Sequence, residues 1–347
     1  MRHFAFVFFL LFLISCSSGN KDTFSKVPYR QVQTNLVFEE DGNIFIGRTH
    51  LFCVVDTFVF ILDKYEDKNF TIINTENGHA ARICPVGQGP GEIINPSWYV
   101  NVLKDKENEL LLYVFDIAYS KWFIYNLDSA LIDNQTAAFN TVSATAGSFE
   151  EGGISTHIEI LNDSTWIGSG IYIDGVFSFF NNGIRGKEMV ELAVSEPRVS
   201  KFYQSLADAS DFDLSSDKQH LVRSRNGLIE LYTIDGDTLI NNFSHEYFKY
   251  DYSIVDGQIY INEKTRYGYI SACVSSNRVY GLYSGKLEIE PNSFQSQYIH
   301  VYDFKGNLLE IIDLDTPICA MDINSKGDII YALSAVGERK LISFKTE

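Results

Sequence analysis

Apolar and polar residues alternate along most of the chain in short runs that are rich in Val, Ile, Phe and Tyr. Gly, Asn and Asp separate these runs, as expected for short antiparallel strands joined by turns. The strongest helical pattern covers only residues 196–210 and is surrounded by strand-like sequence. The pattern therefore predicts an all-β protein with many short strands.

The predicted strands recur as a long repeat. A unit of one apolar strand, a short break and an aromatic-rich strand occurs at residues 51–63, 110–128, 164–182, 220–235, 278–306 and 328–347. The units follow one another at intervals of about 56 residues, which suits a blade of four strands with its connections. Six such blades predict a six-bladed β-propeller of antiparallel blades, in which radial repetition hides most strand edges. A pair of β-sandwiches or a large β-helix is the alternative.

The two ends of the chain are predicted to close the ring. The last unit stops at its third strand, and residues 33–39 have the pattern of the missing outer strand. An inner strand is predicted before each unit, for example at residues 43–47, 157–162 and 320–324. We therefore expect one propeller domain over residues 31–347.

The beginning of the chain has the features of an export signal. Arg2 and His3 precede an apolar stretch, residues 4–14, which is short for a bilayer span and fits the core of a signal peptide. The stretch ends in Leu-Ile-Ser-Cys at residues 13–16, which resembles the lipobox of bacterial lipoproteins. An ordinary signal peptide with a chance cysteine, or an uncleaved anchor, is the alternative.

The lipobox resemblance implies a lipid anchor. Residues 1–15 would be removed as a signal peptide, Cys16 would be acylated, and the polar residues 16–30 would form a flexible tether. Several acyl chains, at ~0.8 kcal/mol per buried CH₂, would hold the protein on a membrane. Similar lipoproteins with Ser after the cysteine tend to reach the outer membrane. We therefore expect a lipid-anchored protein of the cell envelope, with its side of the membrane left open.

Composition excludes two classes of protein. The chain has 347 residues, with 28 Lys and Arg against 45 Asp and Glu, for a formal net charge of −17. Such an acidic chain would repel nucleic acid, so no nucleic-acid partner is expected. A hydrophobic content of 45% is too high for a disordered chain. We expect a folded monomer.

One loop carries a family resemblance. Residues 87–92 read Gly-Gln-Gly-Pro-Gly-Glu, which resembles the G-x-G-P-G-E loop of the TolB-like six-bladed propeller lipoproteins of Gram-negative gut anaerobes, the Bacteroides type. Cys84, Pro85 and Val86 before the loop depart from the usual pattern of that family. The hairpin at residues 113–128 is similar to those of NHL and other six-bladed propellers. The resemblance implies the fold and leaves the function open, because propellers include enzymes, receptors and scaffolds.

The same loop is a candidate binding site. Its three glycines can bring the backbone close to a partner, and Trp98 follows it at a loop-to-strand junction suited to stacking on a sugar. The candidate residues are Gln88, Gly89, Pro90, Gly91, Glu92 and Trp98. A rigid turn between blades, in which Glu92 caps backbone N–H groups, is the structural alternative. No Lys-Ser/Thr pair follows, so the loop is not a phosphate loop.

A hairpin in the second unit is another candidate. Asp116 and Lys121 flank its turn, with Tyr119 and Trp122 beside them, and Asp56 has the matching place in the first unit. These side chains could face a ligand at the mouth of the ring, with Tyr99, Tyr119 and Trp122 exposed for stacking. Alternatively, the aspartates bind turn amides and the aromatic rings pack between blades.

Cysteines and acids leave further alternatives. In an exported chain, two disulfides or buried free thiols are possible at Cys53, Cys84, Cys273 and Cys319. A cluster at Asp208, Asp211, Asp213 and Asp217 could help bind calcium, although a solvated acidic turn is preferred because the EF-hand pattern is absent. No catalytic residue, no metal site and no other cofactor is assigned.

Two functions from different classes follow. The first is a non-enzymatic, lipid-anchored propeller that binds a peptide, a glycan or a protein on one face of the ring. The second is a propeller lyase or hydrolase acting on a polysaccharide. Convergence of His, Arg, Tyr and acids on the central channel would favour the enzyme, whereas an apolar and hydroxyl lining would favour the binding protein.

Overall fold

The strands form successive antiparallel sheets along the chain, in the order that the repeat predicts. The computed structural model describes residues 24–39, 44–132, 140–143, 153–192, 196–249 and 251–347. The signal peptide and Cys16 lie outside the described residues.

The first three blades each have four strands in chain order from the inside to the outside. Blade 1 contains β3 (Leu51–Val55), β4 (Phe58–Leu62), β5 (Lys68–Asn74) and β6 (Ala80–Pro85), after β1 (Tyr29–Val32) and β2 (Asn35–Glu39). Blade 2 contains β7 (Pro96–Lys104), β8 (Leu110–Asp116), β9 (Lys121–Asn126) and β10 (Asn140–Ser143), with the short helix α1 (Leu127–Ile132) after β9. Blade 3 contains β11 (Gly153–Ile160), β12 (Thr165–Tyr172), β13 (Phe177–Asn181) and β14 (Ile184–Met189).

The next blades follow a helix and include an inserted hairpin. Helix α2 (Lys201–Asp208) leads into blade 4, which contains β15 (Asp211–Leu214), β16 (His220–Arg225), β17 (Leu228–Asp235) and β18 (Thr238–Glu246). The insertion is the hairpin β19 (Tyr252–Val255) and β20 (Gln258–Ile261). Blade 5 contains β21 (Tyr269–Val274), β22 (Val279–Tyr283), β23 (Ser296–Tyr302) and the first part of β24 (Leu308–Ile323).

Blade 6 closes the ring as predicted. It consists of the last part of β24, β25 (Ile329–Ser334), β26 (Lys340–Lys345) and the N-terminal strand β2. Leu36 and Phe38 of β2 pair with Ile342 and Leu341 of β26, so the beginning of the chain supplies the missing outer strand. Strand β1 adds a further, parallel strand to the outer edge of blade 5, against β24.

The core lies between the blades. Among the described residues, buried apolar side chains form clusters at each of the blade junctions 1–2, 2–3, 3–4, 4–5, 5–6 and 6–1. A middle strand therefore has both faces buried, and β4 is buried at every position. This explains why the repeat units are apolar on both sides, unlike strands with one face in water.

One predicted inner strand is wrong. Residues 44–49 contain no strand, and β3 is the inner strand of blade 1. The Gly47 N–H donates to the Asp63 carboxylate and Ile46 is buried, so side-chain contacts hold this segment in place of a strand ladder. β3 is as apolar as a middle strand, so the sequence pattern assigned it to the second position of blade 1, although it is the inner strand.

The cysteines of the described chain are free. Cys53, Cys84 and Cys273 are buried, and Cys319 is half-buried. The two disulfides considered for these residues are therefore absent, and the buried-thiol alternative describes Cys53, Cys84 and Cys273. Neither described helix is long and apolar enough to cross a bilayer.

Candidate functional site

The inner strands surround a central channel that opens into a cavity at each end. The upper cavity has a volume of about 650 Å³ and the lower cavity about 220 Å³. Tyr99 of β7, Asp213 of β15 and Asp322 of β24 line both cavities, so they form the narrow part between them. We refer to Tyr99, Asp213 and Asp322 as the waist.

Three aromatic rings form one wall of the upper cavity. The ring of His157 lies between Tyr99 and Phe212, with centroid distances of 5.0 Å and 3.9 Å and nearly parallel planes. These residues belong to the inner strands β11, β7 and β15, which converge on the channel. Stacked rings present a flat apolar surface, against which the apolar face of a sugar or another ring can pack.

Polar side chains of the inner strands also join neighbouring blades. Asn101 Oδ1 accepts from Ile160 N at 2.8 Å, which joins blade 2 to blade 3. Asp213 Oδ2 accepts from Val274 N at 3.0 Å, and Asp322 Oδ2 accepts from Val54 N at 2.6 Å. These bonds join blade 4 to blade 5 and blade 6 to blade 1. The waist carboxyls therefore help to hold the ring together.

Burial strongly changes the titration of the waist. Loss of solvent raises the pKa of Asp322 to about 7, against the opposing effect of the Val54 and Ile323 amides. Loss of solvent also raises the pKa of Asp213 well above its usual range, and the nearby charges of Asp322 and Glu159 add to this. Folding thus holds carboxyl groups close together where their charges oppose one another.

A third carboxyl lies beside the waist with unused hydrogen-bonding capacity. Glu159 is buried and lines the lower cavity, and its Oε1 lies 3.3 Å from Nε2 of the buried His157. Within the described chain, neither Glu159 Oε1 nor either ring nitrogen of His157 has a hydrogen-bond partner. Buried polar atoms without partners are costly, so they mark a place where a ligand or a proton can bind.

The rim of the upper cavity carries the opposite charge. Arg48, His50 and Arg339 line it, and Arg339 donates to the hydroxyl of Thr49. Partial burial and the nearby Lys64 and Arg48 cations lower the pKa of His50. A chain of formal charge −17 thus has cationic groups at one mouth of its channel and carboxyls at its floor.

The candidate loop at residues 87–92 does not line either cavity. It connects β6 to β7, and Glu92 Oε2 accepts from Gly89 N at 2.7 Å, so the carboxylate folds back onto its own loop. Gly91 has a φ of +76°, a conformation that favours glycine. The buried Asn69 donates to the carbonyls of Cys84 and Ile93 on either side of the loop. Gln88 and Pro90 lie in this turn, and Trp98 lies on β7.

The second candidate hairpin is stabilised internally. Asp116 is buried, and its two oxygens accept from the N–H groups of Ile94, Asn95, Ala118 and Tyr119 at 2.7–3.3 Å. Tyr119 is exposed, with Lys121 Nζ 5.9 Å from its ring centroid. Asp56, the counterpart in blade 1, does line the lower cavity.

Two expectations about exposure are wrong. Trp122 is 1% exposed and packs against Phe115 and Trp166 between blades 2 and 3, because its strand is a middle strand. The acidic stretch is a solvated turn only at the exposed Asp217, because Asp213 is buried in β15. Asp208 is also buried, 3.1 Å from Arg223 and 2.8 Å from Arg225.

Several channel residues were missed by the sequence reasoning. His157 and Glu159 lie in a segment predicted as an inner strand, and so does Asp322. The available signal was polar residues at alternate positions of those segments, since alternate side chains of an inner strand face the channel. Tyr99, singled out for stacking, does reach the channel.

Within the described ranges, no three His, Cys, Asp or Glu side chains are arranged to hold a metal ion. Asp213, from the stretch considered for calcium, lies in the waist, and Asp217 accepts from the hydroxyl of Ser215 in a turn.

Six four-stranded blades around a polar channel define a six-bladed β-propeller protein. The chain belongs to the TolB-like 6-blade propeller-like family, whose model matches residues 53–326, more than half of the sequence. This confirms the family resemblance. No curated protein matches the sequence significantly.

Solved structures share the fold. A Bacteroides fragilis protein that has been proposed to be exported matches with a TM-score of 0.57 and 12% identity, over 91% of this chain and 99% of its own. A luciferin-regenerating enzyme matches with a TM-score of 0.50 and 10% identity, over 90% of this chain and 95% of its own. At these identities the likeness concerns the fold alone.

Proposed function

We propose that this protein is an exported, lipid-anchored binding protein of the cell envelope that takes a small polar ligand in the upper cavity. The observation that carries the proposal is the cavity itself: about 650 Å³, an aromatic wall, a floor of carboxyls and a cationic rim. Ligand sites combine such concave apolar surfaces with a few convergent polar groups. Glycans and peptides offer both the apolar faces and the hydrogen-bond donors that fit this lining.

The anchor belongs to the same proposal. Its support is the signal-like residues 1–15 with Cys16 at the cleavage position, together with the export proposed for the Bacteroides fragilis relative. Acylation of Cys16 would hold the ring at a membrane, which we propose to be the outer membrane. The protein would act there as a monomer.

The anchor can be tested directly. In cells fed a labelled fatty acid, the wild-type chain should carry label and sediment with membranes. Cys16→Ser should lose the label and the membrane association, while Cys319→Ser, at a half-buried position, should keep both. Labelling of Cys16→Ser at the wild-type level would rule out this lipidation site.

Ligand binding can be tested with arrays of glycans and peptides probed with the full chain. Tyr99→Ala should weaken binding of any specific ligand by at least about tenfold, because it removes part of the aromatic wall. The matched control is Tyr119→Ala, at an exposed tyrosine of the candidate hairpin, and it should leave binding within about twofold. Equal loss in both variants would argue against the upper cavity.

A second candidate function is supported by the channel lining, because His, Arg, Tyr and acids converge there, which is the arrangement expected above for an enzyme. Tyr99, His157, Glu159, Asp213 and Asp322 converge on the channel, and a carboxyl with a pKa near 7 suits general acid–base chemistry. This favours a propeller lyase or hydrolase acting on a polysaccharide. Incubation with each glycan that binds, followed by mass spectrometry, separates the two functions. Turnover that Asp322→Asn abolishes would establish the enzyme in place of the binding protein.

A further inference from the structure

The floor of the upper cavity, at the waist, holds several acidic groups that make no ion pair with a Lys or Arg of the described chain. Asp213 and Asp322 line it, and Glu159 lies close enough to influence the pKa values of both carboxyls. Among the described residues, no Lys or Arg forms an ion pair with any of the three. His157 Nε2 lies 3.3 Å from Glu159, whereas Asp213 and Asp322 have no ion pair among the described residues. Buried charges are normally paired, so these two carboxyls require either protons or a cationic group supplied by a ligand.

The other surroundings of the floor favour a cation as well. The inner strands place several titratable groups around Asp322: Cys53 of β3, Tyr99 of β7, His157 and Glu159 of β11, Asp213 of β15 and Cys273 of β21. Lys218, in the turn after β15, lines the lower cavity on the other side of the waist, where its Nζ donates to the carbonyl of Ile160. The nearest cationic side chains that line the upper cavity are those of its rim, Arg48 and Arg339, with His50 beside them.

The chemical groups of the lining determine which kind of cation fits. Glu159 Oε1 has no hydrogen-bond partner within the described chain, although it is buried. An ammonium group has three N–H donors and no acceptor, which matches a floor that offers carboxyl oxygens. Aromatic faces such as those of Tyr99 and Phe212 attract cations as well. A bare metal ion fits less well, since no three His, Cys, Asp or Glu of the described residues are arranged to ligate one.

We propose that the ligand of the upper cavity carries a protonated primary amine, which binds at the floor against Glu159, Asp213 and Asp322. This inference rests on the proposed binding function and names its ligand class: an amino sugar or another small amine with an apolar face. The apolar face packs on Tyr99, His157 and Phe212. The cationic rim accepts an uncharged or anionic far end of the same molecule.

The charge of the floor predicts how binding depends on pH. Below about pH 7 the carboxyl of Asp322 takes up a proton, and its attraction for an ammonium group is lost. Affinity for an amine that stays protonated up to pH 8 should therefore rise as pH increases from 5 to 8. Binding in turn lowers the proton affinity of the floor, so binding of the protonated amine should release protons from the floor carboxyls at pH 6–7.

The test compares probes that differ only in the amine. Cyclohexylamine is compared with cyclohexanol, and benzylamine with benzyl alcohol, by calorimetry on the full chain at pH 5 and pH 8. Each amine should bind at pH 8 at least about tenfold more tightly than its neutral partner, and this preference should shrink at pH 5. Calcium chloride is the metal control and should not compete.

Variants test whether the preference for an amine arises at the floor carboxyls. Glu159→Gln removes a charge without touching an interblade hydrogen bond, and it should reduce the amine preference to within about twofold. Asp322→Asn keeps an oxygen for the Val54 N–H and should act in the same direction. Glu76→Gln, at an exposed position of blade 1, is the control and should change nothing.

The outcomes distinguish the inference from the function on which it rests. Neutral partners that bind as tightly as the amines, with both weakened by Tyr99→Ala, would overturn the amine inference and leave the binding site. Amine binding that survives Glu159→Gln and Asp322→Asn unchanged would also overturn it. If no ligand of any class binds in a way that Tyr99→Ala weakens, the binding function itself is overturned.

Discussion

At the scale of single residues, the waist combines two tasks. Asp213 and Asp322 each accept a backbone N–H from the next blade, and each also faces the channel. A hydrophobic residue there would leave the amides of Val274 and Val54 without partners, whereas a carboxyl satisfies them and keeps its remaining lone pairs for the channel. The acidic floor is thus compatible with a stable ring.

The raised pKa of Asp322 predicts the pH dependence of stability. In the folded protein this carboxyl titrates at about 7, whereas in the unfolded chain an aspartate titrates near ~3.9. Between these values the folded state binds more protons, so the free energy of unfolding should fall as pH rises through this window, by up to about 4 kcal/mol. Urea unfolding at pH 5 and pH 8 samples the upper part of this window and should show a loss of about 3 kcal/mol.

The control for this prediction is Asp322→Asn, which cannot ionise and should therefore reduce the loss of stability between pH 5 and pH 8. Asp213, whose pKa is also raised, should preserve part of the effect. A wild-type protein that is equally stable at both pH values, or more stable at pH 8, would contradict the buried and uncompensated floor.

Asp116 makes a second residue-scale prediction. Its carboxylate accepts from four backbone N–H groups in the hairpin and the preceding loop. Asp116→Ala should therefore lower the free energy of unfolding by about 3 kcal/mol, since buried donors lose a charged acceptor. Lys121→Ala, in the same hairpin, should cost less than about 0.5 kcal/mol. Equal effects of the two substitutions in urea unfolding would show that the carboxylate does not organise this turn.

At the scale of elements, helix α2 is joined to blade 4 through buried charges. Asp208 at the end of α2 contacts Arg223 and Arg225 of β16, and Arg223 also contacts Glu230 of β17 at 3.0 Å. Asp208→Ala removes a buried anion that two guanidinium groups share and leaves Arg223 with Glu230 alone, so it should destabilise the protein by about 3–5 kcal/mol. Asp237→Ala, at an exposed turn of the same blade, is the control and should be nearly neutral. A thermal unfolding midpoint unchanged by Asp208→Ala would contradict this account.

The strand pattern predicted most of the fold for a physical reason. In a propeller the middle strands pack between two blades, so their sequences are apolar on both faces and stand out as a repeat. Inner strands face a polar channel with alternate residues, and the segment around Asp322 consequently gives a weaker signal. Because inner strands give this weak signal, the site residues that they carry were not identified from the sequence. Glu159 and His157 are neighbours in the sequence, whereas Tyr99 and Asp322 come close to them only when the ring closes. A single sequence does not show which residues of distant strands face one another in the closed ring.

The candidate loop shows the opposite limit. The glycines of residues 87–92 form a conspicuous motif, yet Glu92 caps Gly89 N within the loop and the channel lies elsewhere. A motif with several glycines reports a special backbone conformation, and a turn requires that as often as a ligand does. Sequence reasoning could name both alternatives, and the position of the loop relative to the cavities could come only from the structure.

At the scale of the whole molecule, the ring depends on its first strand. β2 completes blade 6, and Val37 and Phe38 pack against the cluster between blades 6 and 1. A chain that begins at residue 40 should therefore unfold at a lower temperature than one that begins at residue 24, since it exposes the edge of β26 and apolar side chains. Thermal unfolding of the two chains, with size-exclusion chromatography for aggregation, measures this difference. Equal midpoints would mean that closure adds nothing to stability.

The beginning of the described chain is held against the ring by Phe24. Phe24 is buried against Tyr247, which follows β18 of blade 4, and against Tyr283 and His300 of blade 5. With Cys16 lipidated as proposed, only residues 17–23 separate the membrane from this contact. The ring would then lie within about 30 Å of the bilayer surface, the reach of an extended segment of that length.

The central claim is that a ligand binds in the upper cavity, and a crystal structure of the protein with a ligand that binds it tests this most directly. We expect electron density stacked on Tyr99 and His157, with the polar end of the ligand directed to Asp213 and Asp322. Density at the loop of residues 87–92 or on the outer surface of the blades, with the upper cavity holding only solvent, would contradict it.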